Sequence, residues 1–151
     1  MIMSDLLIAG APTEADWKQA EKFHGHVGPW LALGMRIGFI AVTDLSPRPH
    51  FGIQVDVMCP LQTPFSCLLD GLQISTGATY GKRNITAEES NPTAMSVVVT
   101  NKDTGRAARF DVNPETCAFV RDWFDKEGGE AAARMVWSVP SENLFVLSHT
   151  G

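Results

Sequence analysis

The sequence predicts an α+β fold, in which helices pack against a mostly antiparallel sheet and one helix is buried at the centre. The residues from Pro29 to about Asp44 are apolar on nearly every side, which is typical of a buried helix. Residues 51–57 alternate between apolar and polar, which is the pattern of a strand with one buried face. Two later apolar runs, 93–100 and 106–112, flank a polar turn and predict a β-hairpin.

Composition and charge exclude several classes of protein. The chain has 151 residues, of which 44% are hydrophobic, and this suffices for one domain with its own core, so we assign residues 1–151 to a single domain. A net charge of −5 argues against nucleic acid as a partner. Arg36 interrupts the longest apolar run, which is too short to span a membrane. Residues 1–9 lack the basic stretch of a signal peptide, and we expect a cytoplasmic protein.

The first two helices have recognisable starts. Thr13 is a capping residue for a helix over residues 14–23, which ends at the break of residues 24–28. Pro29 fits the first turn of the central helix, where its missing N–H removes no helical hydrogen bond.

The central helix carries Gly34 and Gly38 four residues apart, which places both on one face. Because glycine has no side chain, such a face lets another element approach closely, and we expect close packing there. A buried helix with a glycine face also suits a dimer.

The remaining elements follow from turn residues and apolar patterns. A helix over residues 66–76 follows a proline-containing loop and ends at a polar turn with two glycines, 77–84. Asn113 is the expected cap of a later helix that has Pro114 in its first position and ends at Gly128. The last predicted elements are a short helix at 130–137 and a strand at 144–148.

Two histidines could converge on one ligand. His24 and His26 flank Gly25, and in an extended backbone residues two apart point to the same side. Imidazole binds zinc, copper, iron and nickel, so the pair could hold a metal ion or an anionic ligand. The pair also precedes the N-terminus of the central helix, where free N–H groups favour negative charge. Alternatively, one histidine caps or hydrogen-bonds the neighbouring loop.

The cysteines Cys59, Cys67 and Cys117 are odd in number, which argues against a disulfide framework and leaves each as a core residue or as a metal or redox group. Cys67 stands at the start of a helix, where we expect the pKa of a thiol to be lowered. Asp70 and Gly71 lie one turn further on the same face, so a thiolate and a carboxylate could share a surface. Cys59 could fold back as another metal ligand, although a core position is the alternative we favour.

The turn at 77–84 gathers two glycines, a hydroxyl group, two cations and an amide. Thr79, Lys82 and Asn84 could bind an anionic group together with backbone N–H groups of the turn. The glycine spacing does not match a P-loop, and an ordinary polar turn is an equal alternative.

Two motifs occur in a fixed order along the chain. The first is F-H-G-H-x-x-P at residues 23–29, followed by L-A-L-G-x-R at 31–36. The second is C-x-x-D-G-x-Q at 67–73, followed by T-G-x-T-x-G-K-x-N at 76–84. Together they resemble the signatures of the formylmethanofuran dehydrogenase E-subunit-like family, over residues 23–112. The zinc ribbon that some members carry at the C-terminus is not expected here.

The resemblance implies a compact α+β domain, commonly a dimer, with a metal ion held between the two signatures. Carried over position by position, it implies His24, His26 and Cys67 as metal ligands. Family members commonly have cysteine at the positions of Gly28 and Ala78, so two candidate sulfur ligands are missing from this chain. Either the site keeps its metal ion through the histidines and Cys67, or it has lost its metal ion.

Imidazole and thiolate ligands together best suit zinc, with nickel or iron next. Three protein ligands and one open position are typical of a reactive metal site, and Cys59 or water would complete the set. Asp70 is then the candidate catalytic residue, for proton transfer or for orienting a ligand. Thr79, Lys82 and Asn84 would bind the anionic part of a small ligand.

Three functions are compatible with these features. The first is a metal-dependent accessory or enzyme-like protein of one-carbon or molybdenum-enzyme metabolism. The second is a non-catalytic, dimeric module that binds a metal ion or a small ligand. The third is a purely structural protein in which the histidines cap helices. Fold and family alone do not decide among them.

Overall fold

The computed structural model describes residues 11–151, so the expectation about residues 1–9 lies outside the described part of the chain. None of the helices in this part has the length and hydropathy needed to cross a membrane. The predicted α+β class is confirmed. The elements are α1 Glu14–His24, α2 Pro29–Leu45, β1 Ile53–Cys59, α3 Cys67–Thr76, β2 Ile85–Glu89, β3 Ser96–Asn101, β4 Ala107–Val112, α4 Thr116–Glu127, α5 Gly129–Ser138, a 3-10 helix Ser141–Asn143 and β5 Phe145–Thr150.

The five strands form one sheet in the order β2-β1-β3-β4-β5. Every neighbouring pair is antiparallel except β1 and β2, which are parallel because α3 connects them as a crossover. Strand β2 is missing from the predicted elements. Ile85 is its one buried residue, so the alternation of buried and exposed side chains that marks a strand is absent.

Most predicted boundaries agree with the observed ones to within one helical turn, but the predicted cap of α4 is wrong. Helix α4 begins at Thr116, with Glu115 as its N-cap. The side-chain amide of Asn113 instead donates to the carbonyl oxygen of Glu142 at 2.8 Å. The carbonyl group of Asn113 accepts a turn hydrogen bond from Thr116. Asn113 therefore ties two loops together and does not start the helix.

Helices α2 and α3 cross at a contact made of glycines. A Cβ atom at Gly34 would lie 2.2 Å from the carbonyl oxygen of Leu68, and one at Gly71 would lie 2.1 Å from that of Leu31. Gly38, further along α2, also packs against α3. The predicted close packing is confirmed, and its partner is α3 of the same chain. The glycine face therefore gives no argument for a dimer.

The contacts along this crossing run in the same order on both helices. Leu31, near the beginning of α2, contacts Gly71. Gly38, further along α2, contacts Ser75, which lies near the end of α3. The two helices are therefore parallel, and their N-termini lie at the same end of the fold. This arrangement brings the first turns of the two sequence motifs together.

The guanidinium group of Arg36 is fully buried on α2 and contacts the C-terminal end of α5. Its Nη1 donates to the carbonyl oxygens of Val136 at 2.6 Å and Val139 at 2.7 Å. It also lies 5.7 Å from the centre of the Trp137 ring. Burial lowers the pKa of Arg36 to about 10, which leaves the group charged at neutral pH. A cation here complements the negative end of the α5 dipole.

Arg36→Met should lower the free energy of unfolding by about 2 kcal/mol, because two carbonyl oxygens lose a charged donor. Removal of the cost of burying a charge offsets only part of this loss. Arg109→Met is a matched control, because Arg109 is half exposed and pairs with Asp111 on its own strand. Urea unfolding followed by circular dichroism measures both variants. Equal effects would contradict the role assigned to Arg36.

Candidate functional site

A cavity of about 370 Å³ opens where the ends of α1, α2 and α3 meet one face of α4. This volume is in the range of cavities that bind small molecules. His24, His26 and Cys67 all line it, so the fold brings the predicted residues of both motifs to one place.

His24 and His26 lie close together, although the segment is not extended as predicted. His24 is the last residue of α1, and Gly25 has a left-handed backbone with a φ of 103°. Glycine adopts this conformation without steric cost. The turn leaves the two imidazole rings 4.7 Å apart between centroids.

Asp70 orients the ring of His24. The Nδ1 atom of His24 lies 2.6 Å from Oδ2 of Asp70. The other oxygen of Asp70 accepts a weaker hydrogen bond from the side-chain amide of Gln73 at 3.4 Å. Because a carboxylate accepts the proton of Nδ1, the neutral ring carries its free lone pair on Nε2.

The Nε2 atom of His24 is buried and has no hydrogen-bond partner among the described residues. The side chain as a whole is 9% exposed. Buried polar atoms in native proteins nearly always have a partner, so this nitrogen is a position that a water molecule, a metal ion or a ligand can fill. A histidine held at Nδ1 by a carboxylate and free at Nε2 has the arrangement in which imidazole binds a metal ion.

Cys67 begins α3, but the expectation that this position lowers the pKa of its thiol is wrong. Burial and, second, the negative charge of Asp70 raise the pKa of the Cys67 thiol, and together they outweigh the lowering effect of a backbone hydrogen bond. At neutral pH the group is therefore a thiol. A metal ion that binds this sulfur has to displace its proton.

The predicted metal ligands do not form a complete set. Within residues 11–151, no three His, Cys, Asp or Glu side chains stand close enough to hold a metal ion. Cys59 is fully buried in β1, where burial raises its pKa to about 11, and it does not line the cavity. The residues present fit a metal ion at Nε2 of His24. His26 and Cys67 are nearby donors that would have to turn toward it.

The turn residues Thr79, Lys82 and Asn84 do not reach the cavity. The Lys82 ammonium group donates to the Thr79 hydroxyl at 2.9 Å. The Asn84 side chain accepts from the Thr79 N–H at 2.9 Å and donates to the His50 carbonyl oxygen at 2.7 Å. These bonds hold the turn together, and binding of an anion by these side chains stays a prediction.

Part of the cavity wall comes from residues that the two motifs do not include. Trp30 and Phe65 meet edge to face, with 5.3 Å between ring centroids. Cys117, Arg121 and Phe124 project from α4. Helix α4 is distant from both motifs in sequence, and no local pattern signals that it forms part of the site.

Comparison with known proteins identifies the family. Residues 23–146 match the model of the FmdE family, which is described as "Molybdenum formylmethanofuran dehydrogenase operon". This chain belongs to the FmdE family. The match extends through α4 and α5, so the helix that completes the cavity wall is part of the FmdE domain.

Two individual relatives of this FmdE domain differ in what they support. A probable S-adenosyl-L-methionine-binding protein of Archaeoglobus fulgidus is 30% identical over 125 residues, which are 78% of this chain and 31% of that protein. A crystal structure of a tungsten formylmethanofuran dehydrogenase FmdE-like protein from Syntrophus aciditrophicus matches with a TM-score of 0.63, over 95% of this chain and 74% of that one. At 24% identity, this likeness supports the fold alone.

The two positions where cysteine is common in the FmdE family fall in different places. Gly28 lines the cavity, and a Cβ atom there would lie 3.4 Å from Nε2 of His26. Ala78 is fully buried in the core and does not line the cavity. A cysteine at position 28 would therefore place sulfur beside His26, whereas one at position 78 would not enter this cavity wall.

Proposed function

We propose that this FmdE domain binds a divalent metal ion, foremost zinc, at His24, and that the adjoining cavity holds a small ligand. The observation that supports the proposal is the buried and unpaired Nε2 of His24, whose ring is oriented by Asp70. His26 and Cys67 are further donors in the same cavity, and imidazole with thiolate suits zinc better than nickel or iron. The bound ion would act as a Lewis acid toward the ligand.

The wider role that we propose is that of a cytoplasmic accessory protein in one-carbon or molybdenum-enzyme metabolism. The description of the FmdE family supports it. The alternative is a non-catalytic module that binds metal and ligand without turnover. In both cases Asp70 acts by orienting His24, because it contacts that ring and does not line the cavity.

We also propose that the chain is a homodimer. Phe119 on α4 is 44% exposed and stacks on Trp123, which gives this helix an apolar surface for a second copy. The mass measured by light scattering during size-exclusion chromatography tests this directly. A monomer mass at high protein concentration would contradict it.

Metal analysis of protein purified without a histidine tag tests the metal site. We expect about one zinc ion per chain, with one or more sulfur ligands. Cobalt(II) exchanged into the site should then show a near-ultraviolet charge-transfer band from thiolate to metal. Cys67→Ser should remove this band. Cys117→Ser is the matched control and should keep it, because Cys117 is the other thiol of the same cavity.

Three results would count against parts of this proposal. Protein that takes up no stoichiometric metal would contradict the metal site. A charge-transfer band that persists in Cys67→Ser would assign the sulfur ligand to another cysteine. A metal ion with four protein ligands would favour the non-catalytic module, because no coordination position would remain open.

Binding of S-adenosyl-L-methionine is a second candidate function, which the name of the Archaeoglobus relative favours. This chain spans 31% of that protein, so residues outside the matched part could hold its ligand. Calorimetric titration of metal-free protein with S-adenosyl-L-methionine separates the two candidates. Saturable binding that His24→Ala leaves unchanged would favour this candidate over the metal site, and the absence of binding would eliminate it.

A further inference from the structure

Among the described residues, the cavity wall carries one permanent charge, and it is positive. The wall contains no aspartate or glutamate among the described residues, and Arg121 on α4 is the one lysine or arginine there. The guanidinium group of Arg121 forms no hydrogen bond or ion pair within residues 11–151. Its side chain lines the cavity, where burial raises the pKa of the Cys117 thiol and the charge of Arg121 partly offsets that rise. A permanent cation is therefore available to a ligand.

The first turn of α2 adds a second positive feature to this wall. Its N-cap, Gly28, has no side chain to accept a hydrogen bond, and the turn contains no acidic residue. The backbone N–H groups of Trp30 and Leu31 have no hydrogen-bond partner within residues 11–151, and both residues are buried. Free N–H groups at the start of a helix of 17 residues attract an anion, and the helix dipole adds to that attraction.

His24 supplies independent evidence that the cavity takes a ligand. Its side chain is 9% exposed, lines the cavity, and has an unpaired Nε2 atom. A buried polar atom without a partner is rare in native proteins, and Nε2 is such an atom even though Nδ1 of the same ring contacts Asp70. The cavity therefore has polar groups that the protein itself leaves unsatisfied.

Three aromatic side chains form part of the remaining wall. Trp30 and Phe65 pack edge to face, and Phe124 lines the same cavity from α4. A flat ring packs well against aromatic side chains in stacked or edge-on arrangements. The cavity volume of about 370 Å³ has room for one such ring with its substituents.

We propose that the small ligand of this cavity is an aromatic carboxylate. Its carboxylate group would lie between Arg121 and the first turn of α2, and its ring would pack against Trp30 and Phe65. Arginine suits this task, because its guanidinium group can donate two parallel hydrogen bonds to one carboxylate. The assignment rests on the small-ligand site proposed above, but it does not require the metal ion.

Calorimetric titration of metal-free protein with benzoate and with neutral benzamide tests the assignment. Benzoate should bind roughly tenfold more tightly than benzamide, because hydrogen bonds to a charged group are the stronger ones. Acetate, which lacks the ring, should bind more weakly than benzoate. Arg121→Gln should weaken benzoate binding by roughly tenfold and leave benzamide binding unchanged. Arg109→Gln is the control and should change neither, because Arg109 lies on β4 and pairs with Asp111.

Several outcomes would overturn the assignment. They are equal binding of benzoate and benzamide, no binding of either, acetate binding as tight as that of benzoate, and a preference for benzoate that Arg121→Gln leaves intact. A preference seen only in zinc-loaded protein would assign the recognition of charge to the metal ion and would overturn the role of Arg121. Protein that never takes up zinc but still prefers benzoate would support this assignment and contradict the metal site.

Discussion

Gly34→Ala should lower the free energy of unfolding by about 4 kcal/mol, although it adds a single methyl group. The added Cβ atom would lie 2.2 Å from the carbonyl oxygen of Leu68 and 3.0 Å from the backbone nitrogen of Leu72. Both are backbone atoms of α3, which cannot rotate away as a side chain can, so the two helices have to separate. The higher helix propensity of alanine offsets only about 1 kcal/mol of this cost.

The same substitution should also weaken zinc and ligand binding, because the parallel crossing holds the N-termini of α2 and α3 at the cavity. Gly81→Ala is the matched control. A Cβ atom at Gly81 would meet nothing within 4 Å, and its backbone is outside the left-handed region. Urea unfolding of both variants, followed by circular dichroism, measures the difference. A loss for Gly34→Ala no larger than that for Gly81→Ala would contradict the close crossing.

The glycine crossing shows which part of this fold can be predicted from local sequence. The spacing of Gly34 and Gly38 predicts one smooth helix face, because helical geometry alone places them together. The identity of the partner cannot be predicted in this way. Gly71 belongs to a later helix, and the two glycine faces meet only through the packing of the whole chain. Strand β2 is unpredictable for a related reason, since it pairs with β1 through backbone hydrogen bonds and buries one of its side chains, Ile85.

In the candidate site, too, some residues can be predicted from local sequence and others cannot. The motif residues His24, His26 and Cys67 can be identified because their chemistry is visible in the sequence, and the fold brings them to one cavity. Arg121 cannot be identified, because nothing in the sequence of α4 distinguishes its inner face as part of a site. The predicted direction of the Cys67 pKa shift is wrong, because burial and the charge of Asp70 outweigh the position at a helix start.

His24→Ala should weaken zinc binding by roughly a thousandfold, because it removes the one donor that is already buried and oriented. Asp70→Asn should weaken it by roughly 10- to 100-fold, the usual effect of losing the group that orients a ligating histidine. An amide at this position can donate to Nδ1 and so favour the tautomer with a proton on Nε2, which cannot bind a metal ion. Competition with a chelating dye measures both affinities.

A second histidine–aspartate pair in the chain provides the matched control. His149 on β5 pairs through its Nε2 with Asp44 near the end of α2, and this pair is not part of the cavity wall. His149→Ala and Asp44→Asn remove the same chemical groups from the surface of the protein. Both variants should therefore keep the zinc affinity of the wild type. Zinc affinity that falls equally in the His149 and His24 variants would contradict a specific site at His24.

Thermal unfolding with and without zinc separates a metal-binding His24 from a structural one. An ion that binds only the folded state raises the melting temperature, by an amount that grows with the logarithm of the ion concentration divided by its dissociation constant. Zinc should therefore stabilise the wild type and leave His24→Ala unchanged. If His24 instead served to cap the loop through Asp70, His24→Ala would destabilise the metal-free protein, and zinc would have the same effect on both proteins. That second result would favour the purely structural protein over the metal-binding domain.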